Sequence, residues 1–463
     1  MGRLLVVSNR VATPGDVRAG GLAVALQGLL RQRRGVWFGW SGGFGDGPPQ
    51  TQIGDGIRFC TLDLPEAEFD AYYHRFANRA LWPLLHYRSD LVHFDREAYE
   101  GYLAVNARFA DALARELRGD DVLWVHDYHL IPLARALRER GVRQRIGFFL
   151  HIPMPSWDAL CMLPEHRDLL SRLADYDLVG VQTPADADNL RRHFAQFQVP
   201  AGRCAIAAFP IGIDADAVAR DATAAPAREA ALALHHSLSG RRLAIGVDRL
   251  DYSKGLPERF RAFARHLERD DGGHDPVTYL QIAPPSRGEV PEYQTLRQEL
   301  ERLAGHINGL HARPDWTPLR YVNHCYPHTV LAGFYRTADL ALVTPLRDGM
   351  NLVAKEYVAA QEPADPGVLV LSRFAGAAHE LREALLVNPH DVDQAADAIG
   401  TALAMPRAER RERWHAMMAT IRRNGIDAWS RGFLARLQDE GGDGDGTERP
   451  PRPAIPLVEG GAP

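Results

Sequence analysis

The chain has 463 residues, of which 46% are hydrophobic and 24% are charged, and its formal net charge is −5. This length suggests two or three domains with ample buried core, and the composition is that of a soluble globular enzyme. The slightly acidic balance argues against a nucleic-acid partner and against an anionic membrane surface. The four cysteines lack paired spacing, which argues against a disulfide framework or a zinc ribbon (Cys60, Cys161, Cys204 and Cys325).

The apolar runs bear on where the protein resides. The first run, residues 4–7, is too short for a signal peptide and is followed by no cleavage site. The other apolar runs fall short of the length that spans a bilayer. We therefore expect a cytoplasmic protein without a membrane partner.

The N-terminal half alternates short apolar runs with amphipathic segments. The runs that are typical of buried strands cover residues 4–8, 122–125, 146–150 and 178–181. Apolar residues three and four apart predict helices over residues 103–117 and 130–140. Strands that alternate with helices predict a parallel sheet with right-handed crossovers, and hence an α/β fold.

The same alternation fades across residues 215–240 and restarts with a strand at 243–247. We therefore predict two Rossmann-like halves, 1–238 and 239–438. Helices predicted over 405–437 carry Trp414 and Trp429 on apolar faces. Residues 439–463 are rich in Gly, Asp, Glu and Pro, which predicts a disordered tail.

The run over residues 343–356 is the most informative segment of the chain. An apolar strand leads through a turn at Asp348 and Gly349 into an apolar helix that begins at Asn351. Free backbone N–H groups and the helix dipole at such an N-terminus favour an anion. Glu356 lies about one turn further on, where a carboxylate can accept hydrogen bonds from sugar hydroxyls. From spacing alone, an ordinary capped helix after a strand is an equal alternative.

Cationic residues and glycines follow several of the predicted strands, where ligands bind in open α/β sheets. Arg10 ends the first strand, and Gly20 and Gly21 open the next helix, where backbone N–H groups can approach a phosphate. In the second half, Arg249 and Lys254 follow one strand, and Arg287 follows another. These cations suit phosphates, although Arg249 and Lys254 could equally pair with the nearby aspartates at the surface.

A catalytic metal has little support. His126 and His129 lack further metal ligands at a recognisable spacing. The segment with Asp214 and Asp216 is better interpreted as a turn and the start of a helix than as a metal site. Asp127, at a strand end, is a better candidate for binding sugar hydroxyls. The dinucleotide fingerprint G-x-G-x-x-G, the G-x-S-x-G elbow and the P-loop do not occur in the chain.

The chain resembles the trehalose-6-phosphate synthase family, whose members are retaining glycosyltransferases of GT-B fold. The matching segments follow family order over residues 3–435 and include 7–10, 19–22, 37–41, 81–83, 126–129, 147–153, 249–255, 286–288 and 344–356. The resemblance implies two Rossmann-like domains whose parallel sheets face an interdomain cleft. It also implies that a C-terminal helix returns to the first domain.

The resemblance also implies a role for each matching residue. The acceptor, glucose 6-phosphate, would be bound by Arg10, Tyr73, Trp82, Asp127 and Arg287. The donor nucleotide would be bound by Gly20, Gly21, Tyr326, Gly349, Met350, Asn351, Leu352, Val353 and Glu356. The residues expected at the reacting centre are His151, Arg249, Lys254 and Asp348. Tyr326 departs from the phenylalanine of bacterial members near the donor base, which leaves the base preference open.

We therefore expect transfer of glucose from a nucleotide diphosphate glucose to glucose 6-phosphate, giving α,α-trehalose 6-phosphate with retention. UDP-glucose is the expected donor, with GDP and ADP sugars left open. We expect the activity to need neither a metal nor a cofactor. We expect the chain to form a homodimer or a homotetramer. The alternatives are another phosphorylated acceptor, such as glycerol 3-phosphate, and a sugar-phosphate sensor without activity. A sensor is disfavoured because Arg249, Lys254 and Glu356 are all present.

Overall fold

The structure is a computed structural model. It describes residues 2–13, 21–200, 202, 204–269, 276–288 and 290–439, with the backbone alone for residues 21–25. The predicted tail therefore lies outside the described residues, except for Asp439. Within the described ranges, no helix is both long and apolar enough to cross a membrane.

The first sheet has eight strands in the described part of the chain, and all its neighbours run parallel except one edge pair. In chain order the strands are β1 (Leu4–Arg10), β2 (Val36–Phe44), β3 (Gln50–Gly54), β4 (Ile57–Leu64), β5 (Val122–His126), β6 (Arg145–Phe149), β7 (Leu178–Val181) and β8 (Ala205–Ala208). Their spatial order is β3-β4-β2-β1-β5-β6-β7-β8. Strand β1 is central, since Val6 pairs with Trp37 on one side and with Trp124 on the other.

The second sheet has six strands among the described residues, all parallel, in the order β11-β10-β9-β12-β13-β14. They are β9 (Arg242–Val247), β10 (Val277–Ile282), β11 (Leu319–Val322), β12 (Leu340–Val343), β13 (Val368–Ser372) and β14 (Leu385–Val387). Strands β10, β12 and β13 are buried at every position, as expected for parallel strands that are covered on both faces. The predicted α/β class with two parallel sheets is confirmed.

Helices cover both sheets. The α-helices are α1 (Gly21–Arg33), α2 (Glu66–Phe69), α3 (Trp82–Leu85), α4 (Arg96–Glu116), α5 (Leu133–Glu139), α6 (Trp157–Leu160), α7 (His166–Ser171), α8 (Pro184–Gln196), α9 (Ala215–Asp221), α10 (Ala225–Leu238), α11 (Leu256–Arg269), α12 (Pro291–His311), α13 (His328–Thr337), α14 (Leu352–Ala360), α15 (Val392–Ala404), α16 (Arg407–Arg423) and α17 (Ile426–Gln438). A π-helix, Asp70–Leu81, joins α2 to α3. Short 3-10 turns cover Ser89–Leu91, Tyr128–Leu130, Arg172–Asp175, Tyr252–Lys254 and Gly376–His379.

The chain passes between the two halves twice in the described residues. After β8 it crosses through residues 209–214 to α9 and α10, which pack against α13 and α14. It returns between α16 and α17. The domain limit at residue 238 stays a prediction, and the two helices that precede it contact second-half helices.

Helix α17 lies against the first sheet. The ring of Phe433 stacks on Trp124, with 4.6 Å between the ring centroids and 10° between the planes. A Cβ atom on Gly147 or Gly180 would lie 2.7 Å from the same ring. Two glycines at diagonal positions on the neighbouring strands β6 and β7 therefore let the Phe433 ring lie directly on the sheet.

We expect Phe433→Ala to lower the free energy of unfolding by about 3–5 kcal/mol, because the ring is fully buried and backbone around it cannot collapse into the cavity. Urea denaturation followed by tryptophan fluorescence would measure the loss. Arg431→Ala, at an exposed position of the same helix, is the matched control and should change stability by less than about 0.5 kcal/mol. Equal stabilities for the two variants would contradict the packing role of α17.

Candidate active site

The carboxyl ends of the two sheets meet at one cleft. Asp127 and His151 follow β5 and β6 of the first sheet, while Asp251, Arg287 and Asp348 follow β9, β10 and β12 of the second. Neighbours of the two sets meet, since Arg287 contacts Trp82 and Tyr128 of the first half. Residues that parallel strands present at their carboxyl ends are where α/β sheets bind ligands.

The two halves come into backbone contact at the cleft. A Cβ atom on Gly349 would overlap the carbonyl oxygen of His151. A Cβ atom on Gly376 would in turn overlap the carbonyl oxygen of Gly349. Glycine is therefore required at position 349 for the turn after β12 to reach the loop after β6, and at position 376 for the next loop to reach that turn.

Lys254 and Asp348 form an ion pair at this turn. Their Nζ and Oδ2 atoms are 2.5 Å apart, and both side chains are almost buried. The amide of Asn351 also donates to Asp348 Oδ2, at 3.1 Å. The predicted cation after β9 and the predicted carboxylate after β12 are thus brought together, 94 positions apart in sequence.

Helix α14 begins where the sequence predicts it. Asn351 is the N-cap, with φ of 73°, and its Oδ1 accepts a hydrogen bond from the N–H of Ala354 at 3.3 Å. Leu352 and Val353 therefore lie in the first turn, where backbone N–H groups have no helical partner. Glu356 follows one turn later, and its side chain is only 13% exposed.

His328 is a neighbour of Glu356 that the sequence patterns did not reveal. Its Nε2 lies 3.7 Å from Glu356 Oε1, and its Nδ1 lies 3.5 Å from Asp221. The hydrogen bond to Glu356 raises the pKa of His328 against the opposing effect of burial. Tyr326, two residues before, packs its ring on Phe334 at a centroid distance of 5.1 Å. The sequence signal for the position of His328 is Pro327, which precedes the first turn of α13 and so marks the start of that helix.

Arg287 follows β10 on the same half as Lys254 and Asp348, and its side chain reaches residues of the first half. Its guanidinium lies 3.9 Å from the centroid of the Trp82 ring. It donates to the hydroxyls of Tyr293, at 2.5 Å, and Tyr128, at 3.2 Å, and lies 3.4 Å from Asp251 Oδ2. Because Trp82 and Tyr128 belong to the first half, this one cation contacts both halves.

Asp251 is ionised although it is fully buried. Burial alone would raise its pKa, but the nearby Arg287 and then Arg249 lower the pKa to about 2. Arg249 itself is exposed to the cleft, with its guanidinium 5.8 Å from the Trp82 centroid. Two predicted cations therefore lie over one predicted aromatic ring.

Asp127 is the predicted sugar-binding carboxylate, and it lies in a strained backbone conformation with φ of 76°. Its Oδ1 accepts a hydrogen bond from the N–H of His151 at 3.2 Å. Burial raises the pKa of Asp127 to about 6, although that bond and the charges of Arg287 and Arg249 oppose the shift. The carboxylate therefore sits close to its titration point near neutral pH.

His126 and His151 form a neutral pair beneath the cleft. Their Nδ1 and Nε2 atoms are 3.0 Å apart, and burial lowers the pKa of His151 to about 3. Burial also lowers the pKa of His126, with a smaller contribution from His151. Neutral imidazoles can donate and accept hydrogen bonds here but carry no charge. The described residues contain no group of three or more metal-ligating side chains.

The remaining predicted residues lie around this centre or outside the described chain. Arg10 is exposed at the end of β1, with its guanidinium 5.8 Å from the Trp40 centroid. The ring of Tyr73 stacks on Phe69 and on His129, at centroid distances of 4.9 and 5.6 Å. Gly21 is the first residue of α1, and Gly20 lies outside the described residues.

Asp214 and Asp216 have the structural roles that the sequence favoured. Asp214 is the N-cap of α9 and accepts a hydrogen bond from the N–H of Ala217 at 2.8 Å. Asp216 lies in the first turn and pairs with Arg422 at the surface, at 3.2 Å. Neither carboxylate belongs to the cleft cluster around Arg287 and Asp348.

Arg259 stabilises the loop after β9, which carries Arg249 and Lys254. The sequence patterns did not identify this residue. Its buried guanidinium donates to Asp248 at 2.8 Å, to the hydroxyl of Thr344 at 3.0 Å and to the carbonyl of Lys254 at 3.2 Å. It therefore joins the loop after β9 to the turn after β12. The available signal was an arginine beside the apolar Phe260 and Phe263 on the buried face of α11.

A family model described as glycosyltransferase family 20 matches residues 7–439. The chain belongs to glycosyltransferase family 20. Among curated family members, a trehalose-6-phosphate synthase of Klebsiella pneumoniae is 49% identical over 453 residues, which are 95% of each chain. The predicted family and the glycosyltransferase class are confirmed.

Solved structures of family 20 enzymes share this fold. A UDP-forming α,α-trehalose-phosphate synthase of Burkholderia xenovorans in complex with glucose-6-phosphate is 47% identical, with a TM-score of 0.91 over 94% of this chain and 100% of that one. The Escherichia coli protein bound with UDP-2-fluoro glucose is 46% identical, with a TM-score of 0.91 over 95% of this chain and 99% of that one. The predicted GT-B fold is confirmed.

The raised pKa of Asp127 gives a pH-dependent stability. The native state keeps the proton up to about pH 6, whereas an unfolded aspartate loses it near its ordinary value of 3.8. The native state thus binds more protons between these values, so this contribution to stability falls as pH rises and stays low above pH 6. Asp127→Asn removes the titrating group and keeps an oxygen that can accept the His151 N–H.

We expect Asp127→Asn to stabilise the chain more at pH 8 than at pH 5, with a difference of about 1 kcal/mol between the two gains. Urea unfolding of both proteins at the two pH values measures this. Asp120→Asn, at an exposed position, is the control and should show no such pH dependence. A gain that does not grow with pH would contradict the buried carboxylate.

Proposed function

We propose that the chain transfers glucose from UDP-glucose to glucose 6-phosphate with retention, giving α,α-trehalose 6-phosphate and UDP. The observation that carries this is a cleft lined by a helix N-terminus with nearby cations and by the Arg287 cluster, which contacts Trp82 and Tyr128 of the first half. Related enzymes carry a UDP-sugar analogue and glucose 6-phosphate in their solved structures. The assignment of each residue to a substrate is part of the proposal.

The donor side is built on α14. The N–H groups of residues 351–353 and the ammonium of Lys254 would receive the diphosphate, since both carry positive potential. Glu356, one turn further along the helix, would accept hydrogen bonds from the ribose hydroxyls, with His328 holding its carboxylate. Tyr326 lies beside the first turn of α13, where the base would stack.

The acceptor side is built on Arg287 and Arg10. A guanidinium can bind a phosphate with two parallel hydrogen bonds, and both arginines follow strands that end at the cleft. Trp82 offers a ring on which a sugar face can stack, and Asp127 offers a carboxylate for sugar hydroxyls. Tyr73 would complete this side.

The chemistry would rest on positioning and on charge. The bond from the anomeric carbon to the diphosphate oxygen breaks while the acceptor hydroxyl bonds to the same face of that carbon. The acceptor proton passes to the leaving diphosphate, so that no protein group needs to take it up. Arg249 and Lys254 would stabilise the charge that develops on the diphosphate. Asp348, held by Lys254 and Asn351, would orient the transferred glucose with His151.

The direct test is an assay of UDP-, GDP- and ADP-glucose, each with glucose 6-phosphate and, separately, with glycerol 3-phosphate. We expect α,α-trehalose 6-phosphate from UDP-glucose and glucose 6-phosphate. NMR should show that the anomeric carbon of the transferred glucose keeps the axial configuration it has in the donor. Product from glycerol 3-phosphate alone would reassign the acceptor. Inactivity with all pairs would refute the proposal.

Arg249→Ala and Lys254→Ala should each lower turnover by roughly 10²-fold or more, because each removes a cation from the developing negative charge. Steady-state assays measure the loss, and circular dichroism should show an unchanged fold. Arg297→Ala, which removes an exposed arginine paired with Glu301, is the control and should keep full activity. Near-normal turnover in either cleft variant would remove that residue from the site.

Three further expectations stay proposals. We propose a cytoplasmic location, a homo-oligomeric assembly and an activity that needs neither metal nor cofactor. The first two rest on composition and on the resemblance alone. The third rests on the protein cations that face the diphosphate site, which supply the charge that a divalent ion would otherwise supply.

A further inference from the structure

Lys355 and Glu380 form a buried ion pair that the proposed chemistry does not use. Their Nζ and Oε2 atoms are 2.6 Å apart, and the side chains are 1% and 9% exposed. Lys355 lies on α14, between the helix N-terminus and Glu356. Its ammonium therefore points away from the cleft surface, into the interior behind the donor side.

The pair is bonded to both crossings between the halves. The first crossing is residues 209–214, and Lys355 Nζ donates to the carbonyl of Ile211 at 2.8 Å. The second crossing is residues 424–426, and the amide of Asn424 donates to Glu380 Oε1 at 2.6 Å. One ammonium and one carboxylate thus hold both chain segments that connect the halves.

The crossings also contact each other. The N–H of Ile426 donates to the carbonyl of Ile213 at 3.2 Å. A Cβ atom on Gly212 would overlap the carbonyl oxygen of Asn424, so the two backbones touch there. Together with the ion pair, these contacts make one joint from segments more than 200 positions apart.

The same pair is attached in two ways to the turn after β12, residues 344–351, which we call the donor turn. Lys355 is part of the helix whose N-terminus would bind the diphosphate. Glu380 ends the loop that supports the turn after β12, where the N–H of Gly376 donates to Asp348 O at 3.2 Å and that of Ala377 donates to Met350 O at 2.8 Å. A displacement of the donor turn is therefore passed to the joint through both partners.

We propose that Lys355 and Glu380 are positioning residues that fix the joint between the halves to the donor turn, so that a bound donor faces Asp127 and His151. The inference rests on the proposed function. It follows from the geometry because the donor groups lie on the second half, whereas Asp127 and His151 lie on the first. Their relative placement depends on the two crossings, and a displacement near 1 Å is enough to cost orders of magnitude in rate.

The experiment separates positioning from simple stabilisation. Lys355→Met leaves the Glu380 carboxylate without its cation and should destabilise the fold. The double variant Lys355→Met with Glu380→Gln removes both charges, keeps an amide oxygen for Asn424 and should recover the melting temperature. We expect its kcat to stay at least about tenfold below wild type, with the Kd for UDP within about threefold, since the UDP contacts are untouched.

Asn424→Ala supplies an independent variant if Lys355→Met does not fold. It frees only the second crossing and should also lower kcat with little change in UDP binding by calorimetry. Arg422→Ala, which removes an exposed ion pair between α16 and α9 next to the two crossings, is the control and should keep wild-type kcat. A wild-type kcat in the double variant with recovered melting temperature, or in Asn424→Ala, would overturn the inference. An inactive wild-type protein would instead refute the proposed function.

Discussion

The site depends on one steric constraint, which is the contact of three backbone segments at His151, Gly349 and Gly376. A side chain at either glycine would overlap a carbonyl oxygen of the neighbouring segment. This stack sets how near the turn after β12 can come to the loop after β6. The contacts of Arg287 with Trp82 and Tyr128 are made across the same cleft and need the same separation of the halves.

Backbone strain and buried charge both occur where the two halves meet. Asp127, Arg287 and Asn351 all have positive φ, a conformation that side chains rarely adopt and that persists only when surrounding contacts impose it. Buried Asp251 and Lys355 are each matched by an opposite charge and by hydrogen bonds. Without these partners their desolvation would destabilise the fold. The cleft and the joint behind it therefore carry part of the strain and buried charge of the fold.

The fold followed from sequence where the signal is local. Continuous apolar runs predicted β1, β5, β6, β7, β9 and β12, because a strand covered on both faces needs apolar side chains throughout. The patterns missed the polar edge strand β3 and the glycine-interrupted β2. They also missed β4, β8, β14 and the π-helix before Trp82, since short or irregular elements are held by tertiary packing and carry no clear period.

The sequence alone determined the strand, turn and N-cap that place Asn351 at the start of α14, because capping depends on residues within one helical turn. It also indicated which cations and carboxylates end strands, and so which side of each sheet binds ligands. Only the tertiary structure decided which of them meet. Lys254 reaches Asp348, Arg287 reaches Trp82 and Lys355 reaches Ile211 because two sheets and two crossings pack in one arrangement. No local pattern encodes those distances, since the partners lie 94 to 205 positions apart and are joined by packing alone.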